Sequence, residues 1–197
     1  FIITMVTGPA DVKEVVLGPN GVIEGAKPGS VVIDMSTISP RTTREIAEAL
    51  KEKGIDMVDA PVSGGDIGAK KATLTIMAGG DAPVVERCMP IFEALGKKIT
   101  HIGPIGSGQV AKLVNQVLVC INLLATAEAL TFAAKAGVDP AKVLEAVSAG
   151  AAGSWQLSNL GPRMIEGDFE PGFMIKLLQK DLRLALEEAD DLHLPLL

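Results

Sequence analysis

Apolar residues in the first hundred positions come in short, dense bursts. Phe1-Ile-Ile-Thr-Met-Val6 is one such burst, rich in β-branching and without alternation, which is the pattern of a strand covered on both faces. Residues 30–34 (Ser-Val-Val-Ile-Asp), 55–59, 73–78 and 98–102 repeat it. Between the bursts the apolar period lengthens to that of a helix, over Pro9–Leu17, residues 39–53 and Ala82–Leu95. The second of these opens on Ser39-Pro40, a capping serine followed by a first-turn proline, and stops at Gly54. Strands alternating with helices predict an α/β fold with a parallel, doubly wound sheet. Because the chain opens directly on a strand, the sheet is expected to be N-terminally truncated, with earlier βα units lying upstream of Phe1.

The pattern changes after Gly108. Residues 109–136 contain neither Gly nor Pro and carry no charge between Lys112 and Glu128, and they are apolar nearly all round. One long helix is predicted, followed by helices from Asp139-Pro140, over residues 155–165 and over residues 174–192. The charge-free stretch falls short of the roughly 18–20 residues that a membrane span needs. Asn115, Gln116, Asn122 and Thr126 also interrupt it. The expectation is therefore a helix buried by other helices, a partner subunit's among them, and no membrane. A domain boundary near Ile105 divides the chain into a sheet domain (1–105) and an all-α domain (106–197) built on the long helix.

Composition narrows the chemistry. With a net charge of −6 the chain has no basic surface for nucleic acid. Cys88 and Cys120 lie in apolar surroundings and read as reduced thiols of a cytoplasmic protein. Two Cys and two His far apart in sequence give no metal-ligand spacing, so no metal is expected. There is no Tyr to serve as a proton donor, and His101 and His193 are the only imidazoles. Proton transfer, if the chain performs it, falls to Lys, Asp, Glu or Ser.

Gly106-Ser-Gly108-Gln-Val-Ala111 matches a G-x-G-x-x-G/A dinucleotide fingerprint, after a strand and before a helix. A true fingerprint needs a second strand ending in an acidic residue about 20 residues on. Here that distance falls inside the long helix, so the glycines are read as a tight turn that lets another group approach closely. Lys112 is the more informative residue. Asn115 and Gln116 lie at i+3 and i+4 and so share its face. An ammonium near a helix N-terminus, among apolar neighbours, is disfavoured by the dipole and by burial. Both lower its pKa towards that of a general acid, whereas a snorkelling surface lysine would keep its ordinary value.

Three strand ends carry small polar groups: Val6-Thr7-Gly8-Pro9, Asp34-Met-Ser36-Thr37 and Asp59-Ala-Pro61-Val-Ser63-Gly64-Gly65. Strand ends are where open α/β sheets bind ligands. Turn glycines and a capping serine would explain any one of them; three together point to a site. The last loop offers a hydroxyl and adjacent glycine N–H groups suited to a carboxylate.

Taken with Gly68-Ala69 and Thr73-Leu74, with Gly106-x-Gly108-x-x-x-Lys112, and with Pro171-Gly172-Phe173 before Lys180-Asp181-Leu182, these residues resemble the β-hydroxyacid dehydrogenase family over the whole chain. Asp34-Met-Ser-Thr-Ile-Ser-Pro40, Lys112-Leu-Val-Asn-Gln116 and Ala152-Gly153-Ser154 are similar to the branch that reduces tartronate semialdehyde to D-glycerate. The resemblance implies a Rossmann domain, then a helical domain whose long helix builds a homodimer or homotetramer. It implies reversible hydride transfer between NADH or NADPH and a small carboxylate substrate.

By the same resemblance Lys112 is the catalytic lysine, with Asn115 or Gln116 orienting substrate or lysine. Ser63, Gly64 and Gly65 would hold the substrate carboxylate. Val6, Thr7, Ser36 and Thr37 would lie against the nucleotide, and Lys180 near the nicotinamide, its charge lowering the pKa of Lys112 further. Asp181 is given a salt-bridging role. Gln116 stands where many members have Asn, and Ala72 where glycine is common. The family's phosphate loop would precede Phe1 and further helices would follow Leu197. A 3-hydroxyisobutyrate dehydrogenase or another short semialdehyde reductase is the alternative. A non-catalytic ligand-binding dimer would ordinarily lack the lysine.

Overall fold

The computed structural model describes residues 1–196. Two compact units emerge, Phe1–Val114 together with Phe173–Leu197, and Asn115–Gly172. The first compact unit thus takes in the start of the long helix, beyond Ile105. The start of the long helix is bonded to the sheet through Asp59 and Gln109, and the last helix joins the same unit through Lys180.

In the first unit, β1 (Ile2–Thr4), β2 (Val31–Asp34) and β3 (Asp56–Asp59) run parallel, with Ile3 opposite Ile33 and Ile33 opposite Val58. α1 (Pro9–Leu17), α2 (Val22–Gly25) and α3 (Pro40–Lys51) connect them. The capping residue of α3 is as expected: Ser39 Oγ accepts from Thr42 N at 3.1 Å. Both faces of β2 are covered, which is why its apolar run does not alternate. Val31, Ile33 and Val58 pack towards α5 (Ala82–Leu95), with Cys88 and Phe92. Val32, Ile55 and Met57 pack on the other face, with Val12 and Val16 of α1 and Ile46 and Leu50 of α3.

The sheet is not wholly parallel as expected. β4 (Val62–Ser63) prolongs β3 past Pro61, and both pair with β5 (Leu74–Gly79) in one antiparallel register: Asp59 with Gly79, Val62 with Ile76, Ser63 with Thr75. The link from β4 to β5 holds only the six-residue α4 (Gly65–Lys70), whereas a parallel crossover needs a dozen residues or more. α5 does provide such a crossover, so β6 (Gly96–Gly103) returns parallel to β5.

α6 spans Ser107–Lys135 and runs from the first unit into the second, which adds α7 (Pro140–Ser148) and α8 (Trp155–Glu166). Asp139 and Ser154 cap these two through Ala141 N (2.9 Å) and Leu157 N (3.0 Å). A Cβ on Gly161 would stand 2.8 Å from Leu144 Cδ1, so glycine lets α8 approach α7 closely. α9 (Ile175–Asp191) closes the first unit. By length and composition α6 could cross a membrane, since the mean hydropathy of its most apolar window is 1.9. The short charge-free run is therefore not enough to exclude a span.

Candidate active site

The loops after β1 and β2 are tied together from below. Met35 N donates to Thr4 O at 2.8 Å, and Val6 N donates to Ser36 Oγ at 2.9 Å. Beneath them Asp34, wholly buried, accepts through Oδ1 from Thr4 Oγ1 (2.8 Å) and Ser36 N (3.1 Å). Burial raises its carboxyl above the ordinary range, against the pull of the Ser36 and Thr4 hydrogen bonds and the Lys180 charge. Its Oδ2 is buried and has no hydrogen-bond partner. Ser36 is buried as well, so its hydroxyl holds the two loops in register. Val6 and Thr37 remain half-buried and Thr7 is exposed.

α9 adds a cation at the same place. Lys180 Nζ donates to Thr37 O at 2.5 Å and pairs with Asp181 Oδ1 at 2.9 Å. A Cβ on Gly8 would come within 3.9 Å of Lys180 Cδ. Val6–Thr7–Gly8, Ser36–Thr37 and Lys180 therefore converge at the carboxyl ends of two parallel strands, the ligand-binding edge of such sheets.

The glycines of the apparent fingerprint serve a protein carboxylate instead of a phosphate. Asp59, the last residue of β3, accepts from Gly106 N (2.7 Å) through Oδ1 and from Gln109 N (2.8 Å) through Oδ2. A Cβ on Gly108 would stand 2.3 Å from Met77 O and 2.8 Å from Asp59 Oδ2. Gly106 has φ +88°, open to glycine at no steric cost. Burial pushes the Asp59 carboxyl up to about 6, against the two backbone bonds, and the Asp34 charge adds to the rise. Asp34 and Asp59 are register partners on β2 and β3.

Lys112 follows on the next turn of α6, only 7% exposed. Its pKa is lowered, mainly by burial. The carboxylate of Asp181 opposes that shift and the Lys180 ammonium adds to it. The lysine expected from sequence to be desolvated is desolvated, and the Lys180 charge acts on it in the expected direction, whereas the effect of Asp181 was not foreseen.

Ser63, Gly64 and Gly65 continue the strand that carries Asp59. Ser63 is half-buried opposite Thr75, and Gly64 and Gly65 are exposed, with φ +131° and +62°, at the turn into α4. Asn115 and Gln116 lie later on α6 and bond each other, Asn115 Nδ2 to Gln116 Oε1 at 2.8 Å. Sequence reasoning missed what Asp59 and Gln109 do. Gln109, fully buried, donates to Ser36 O (2.8 Å) and accepts from Ile38 N (3.1 Å). The available signal was an amide directly after the paired glycines. Among the described residues no cluster of His, Cys, Asp and Glu could hold a metal.

The strand-end loops and Lys180 suit a nicotinamide dinucleotide. They offer backbone groups, an exposed threonine and one cation, while in the Gly106–Gly108 turn the N–H groups of Gly106 and Ser107 are taken by Asp59 and by Pro104 O. Comparison with known proteins agrees. Residues 1–103 match the NAD-binding domain of 6-phosphogluconate dehydrogenase. Residues 106–197 match the NAD-binding domain of NADP-dependent 3-hydroxyisobutyrate dehydrogenase. The 2-hydroxy-3-oxopropionate reductase of Escherichia coli K12 is 49% identical over 100% of this chain and 67% of its own length. An uncharacterized oxidoreductase of Bacillus subtilis strain 168 is 53% identical over 96% of this chain and 66% of its own. The Mycobacterium tuberculosis 3-hydroxyisobutyrate dehydrogenase structure with L-serine superposes with a TM-score of 0.91 at 32% identity, covering 98% of this chain and 68% of that one. The Salmonella typhimurium 3-hydroxyisobutyrate dehydrogenase gives 0.85 at 34%, with the same coverage. The chain thus spans about two thirds of the length of these relatives. Both family models are nicotinamide-cofactor domains, and the cofactor is NAD or NADP. With the convergent loops, the desolvated lysine and these matches, the chain belongs to the β-hydroxyacid dehydrogenase family.

Proposed function

We propose that the protein reduces tartronate semialdehyde (2-hydroxy-3-oxopropanoate) to D-glycerate with NADH or NADPH, Lys112 acting as general acid. The observation that carries this reading is the buried, pKa-lowered ammonium of Lys112 beside Lys180 and Asp181. The 49% identity to the Escherichia coli reductase supports the choice of substrate.

Held by Val6, Thr7, Thr37 and Lys180, a nicotinamide cofactor would supply the hydride for the carbonyl carbon. Lys112 gives a proton to the carbonyl oxygen, its N–H bond breaking as the alcohol O–H forms. In the oxidative direction its neutral amine takes that proton back. Burial makes the ammonium readier to release its proton, and the Asp181 carboxylate opposes that effect. Ser63, Gly64 and Gly65 receive the substrate carboxylate, while Asn115 or Gln116 orients the substrate or the lysine. Val6, Thr7, Thr37 and Lys180 hold the cofactor, and Ser36 fixes the loops that do so. The same reading makes the protein a cytoplasmic homodimer or homotetramer joined through α6.

Loss of absorbance at 340 nm with tartronate semialdehyde and NADH or NADPH tests the activity. Lys112→Ala should lower kcat by about 10²–10⁴-fold with cofactor affinity near normal. Equal turnover in that variant would remove Lys112 from the mechanism. A second reading, 3-hydroxyisobutyrate or L-serine as substrate, is favoured by the superposition on a 3-hydroxyisobutyrate dehydrogenase with L-serine. Comparing kcat/KM across the three substrates decides between them.

A further inference from the structure

The first turn of α6 is capped by a side chain that does not belong to the helix. A helix leaves its first four N–H groups without internal partners, and a nearby residue of the same chain segment ordinarily satisfies one of them. Here Asp59, fixed in the sheet at the end of β3, takes two of these groups, one on each oxygen. A local cap travels with its helix. A cap anchored in another element ties the helix to that element in height and in rotation, because two N–H groups three residues apart must meet two oxygens of one planar group.

The surroundings are tightly packed. A Cβ on Gly79 would lie 2.5 Å from Asp59 Oδ1 and 2.7 Å from Gly108 N, so the helix end, β5 and the carboxylate meet with only hydrogen atoms between them. Gln109 adds a second tether to the loop after β2. The fold accepts a cost for this arrangement, holding Asp59 fully buried with Asp34 as its register partner. Lys112 lies three residues beyond Gln109, about 4.5 Å further along the axis. A tilt or twist of the first turn is carried directly to its ammonium.

We propose that Asp59 is a positioning residue for the chemistry of Lys112: by clamping the N–H groups of Gly106 and Gln109 it sets the height and rotation of the first turn of α6, and so the place of the ammonium. The inference rests on Lys112 being the proton donor, and its test separates the two.

Asp59→Asn keeps the size of the side chain but turns an NH₂ group towards one of the two backbone donors. In purified protein its kcat should fall about 10²-fold, the loss expected of a reacting group displaced by about 1 Å, with KM for NADH or NADPH within twofold of wild type. Without cofactor, the ¹⁵Nζ resonance of Lys112, assigned by its absence in Lys112→Ala, should titrate at a different pH. In the Lys112→Ala background, Asp59→Asn should cause little additional loss, because one route has already been removed. Unchanged kcat and an unchanged Lys112 titration in Asp59→Asn would overturn the proposal, as would full additivity in the double variant. Wild-type turnover in Lys112→Ala would instead overturn the proton-donor reading. If Asp59→Asn does not fold, Asp59→Glu serves, keeping the charge but moving both oxygens by one methylene. The same losses are expected there, and wild-type behaviour would equally refute the positioning role.

Discussion

At the scale of the residue, the site keeps ionisable groups where burial works against them, and each leaves a signature in stability. Lys112 is a base whose pKa is lowered in the folded chain. The unfolded chain then binds the proton more readily, so below the unfolded value near 10.4 the fold bears a cost that shrinks as pH rises through the folded pKa towards it. Lys112→Met should therefore unfold at a higher temperature than wild type near pH 7, with the advantage fading towards pH 10, while it abolishes turnover. Calorimetry at the two pH values checks this, and a Met variant less stable at pH 7 would show that the Asp181 attraction outweighs burial. Asp59 has the opposite sign. Its carboxyl is raised from 3.8 to about 6, so the protonated form is the one the fold favours. The stability it contributes is complete below about pH 4 and is lost as pH rises to about 6, a swing on the order of 3 kcal/mol. Asp59→Asn lacks that swing. Chemical denaturation of the two proteins should show wild type losing ground to the variant from pH 4 to 6. Asp34 faces Asp59 from β2 and its charge is coupled to that of Asp59, so the difference between the two proteins reads Asp59 together with that coupling.

At the scale of the element, the junction between β3, β5 and α6 is the least forgiving part of the first unit. Gly108→Ala places a methyl 2.3 Å from the Met77 carbonyl, a backbone atom that cannot rotate away. A loss of about 3 kcal/mol is expected in urea denaturation, whereas Gly25→Ala, with nothing within 4 Å, should be neutral or slightly stabilising. Similar costs for the two would mean that the helix end shifts freely. Much of this region was legible from the chain. Dense apolar bursts marked β1, β2 and β3, Ser39-Pro40 marked the start of α3, and an absence of charge around Lys112 marked its burial. The lack of a second strand ending in an acid argued against a nucleotide on the paired glycines, whose turn instead meets Asp59. What was not legible had partners remote in sequence. The carboxylate of Asp59 meets backbone N–H groups 47 and 50 residues away, and a backbone donor leaves no mark on residue type. Ser36 read as a ligand contact because a hydroxyl at a strand end looks the same whether it faces a cofactor or the amide of Val6. α2, β4 and α4 were missed because two to six residues show no period, and with them went the antiparallel return of β5.

At the scale of the whole molecule, α6 buries polar groups alongside Leu113, Leu130 and Ala133 and leaves a long apolar face in solvent. Its buried positions include Gln109, Lys112, Gln116 and Thr126, while Val110, Val114, Leu118, Ile121, Leu124 and Phe132 are exposed, Leu118 at 57% and Phe132 at 76%. Those exposed positions recur at steps of four, four, three, three and eight, the spacing of one continuous stripe along a helix. A stripe suits a protein surface. A bilayer would contact every side of the helix, and the buried amides and ammonium would then lie at membrane depth. The occupant under the proposed function is a second copy, since an exposed apolar stripe of this length marks an association surface and homo-oligomers close most simply about a two-fold axis. Two aspartates in the stripe, Leu118→Asp with Ile121→Asp, place charges where apolar contact would be lost and leave the buried polar face untouched. Light scattering should show the wild-type protein as a dimer or tetramer and the double variant at a smaller assembly or as the monomer. An unchanged mass in the variant would move the interface elsewhere, and wild-type protein that needs detergent to stay dispersed would return α6 to the membrane.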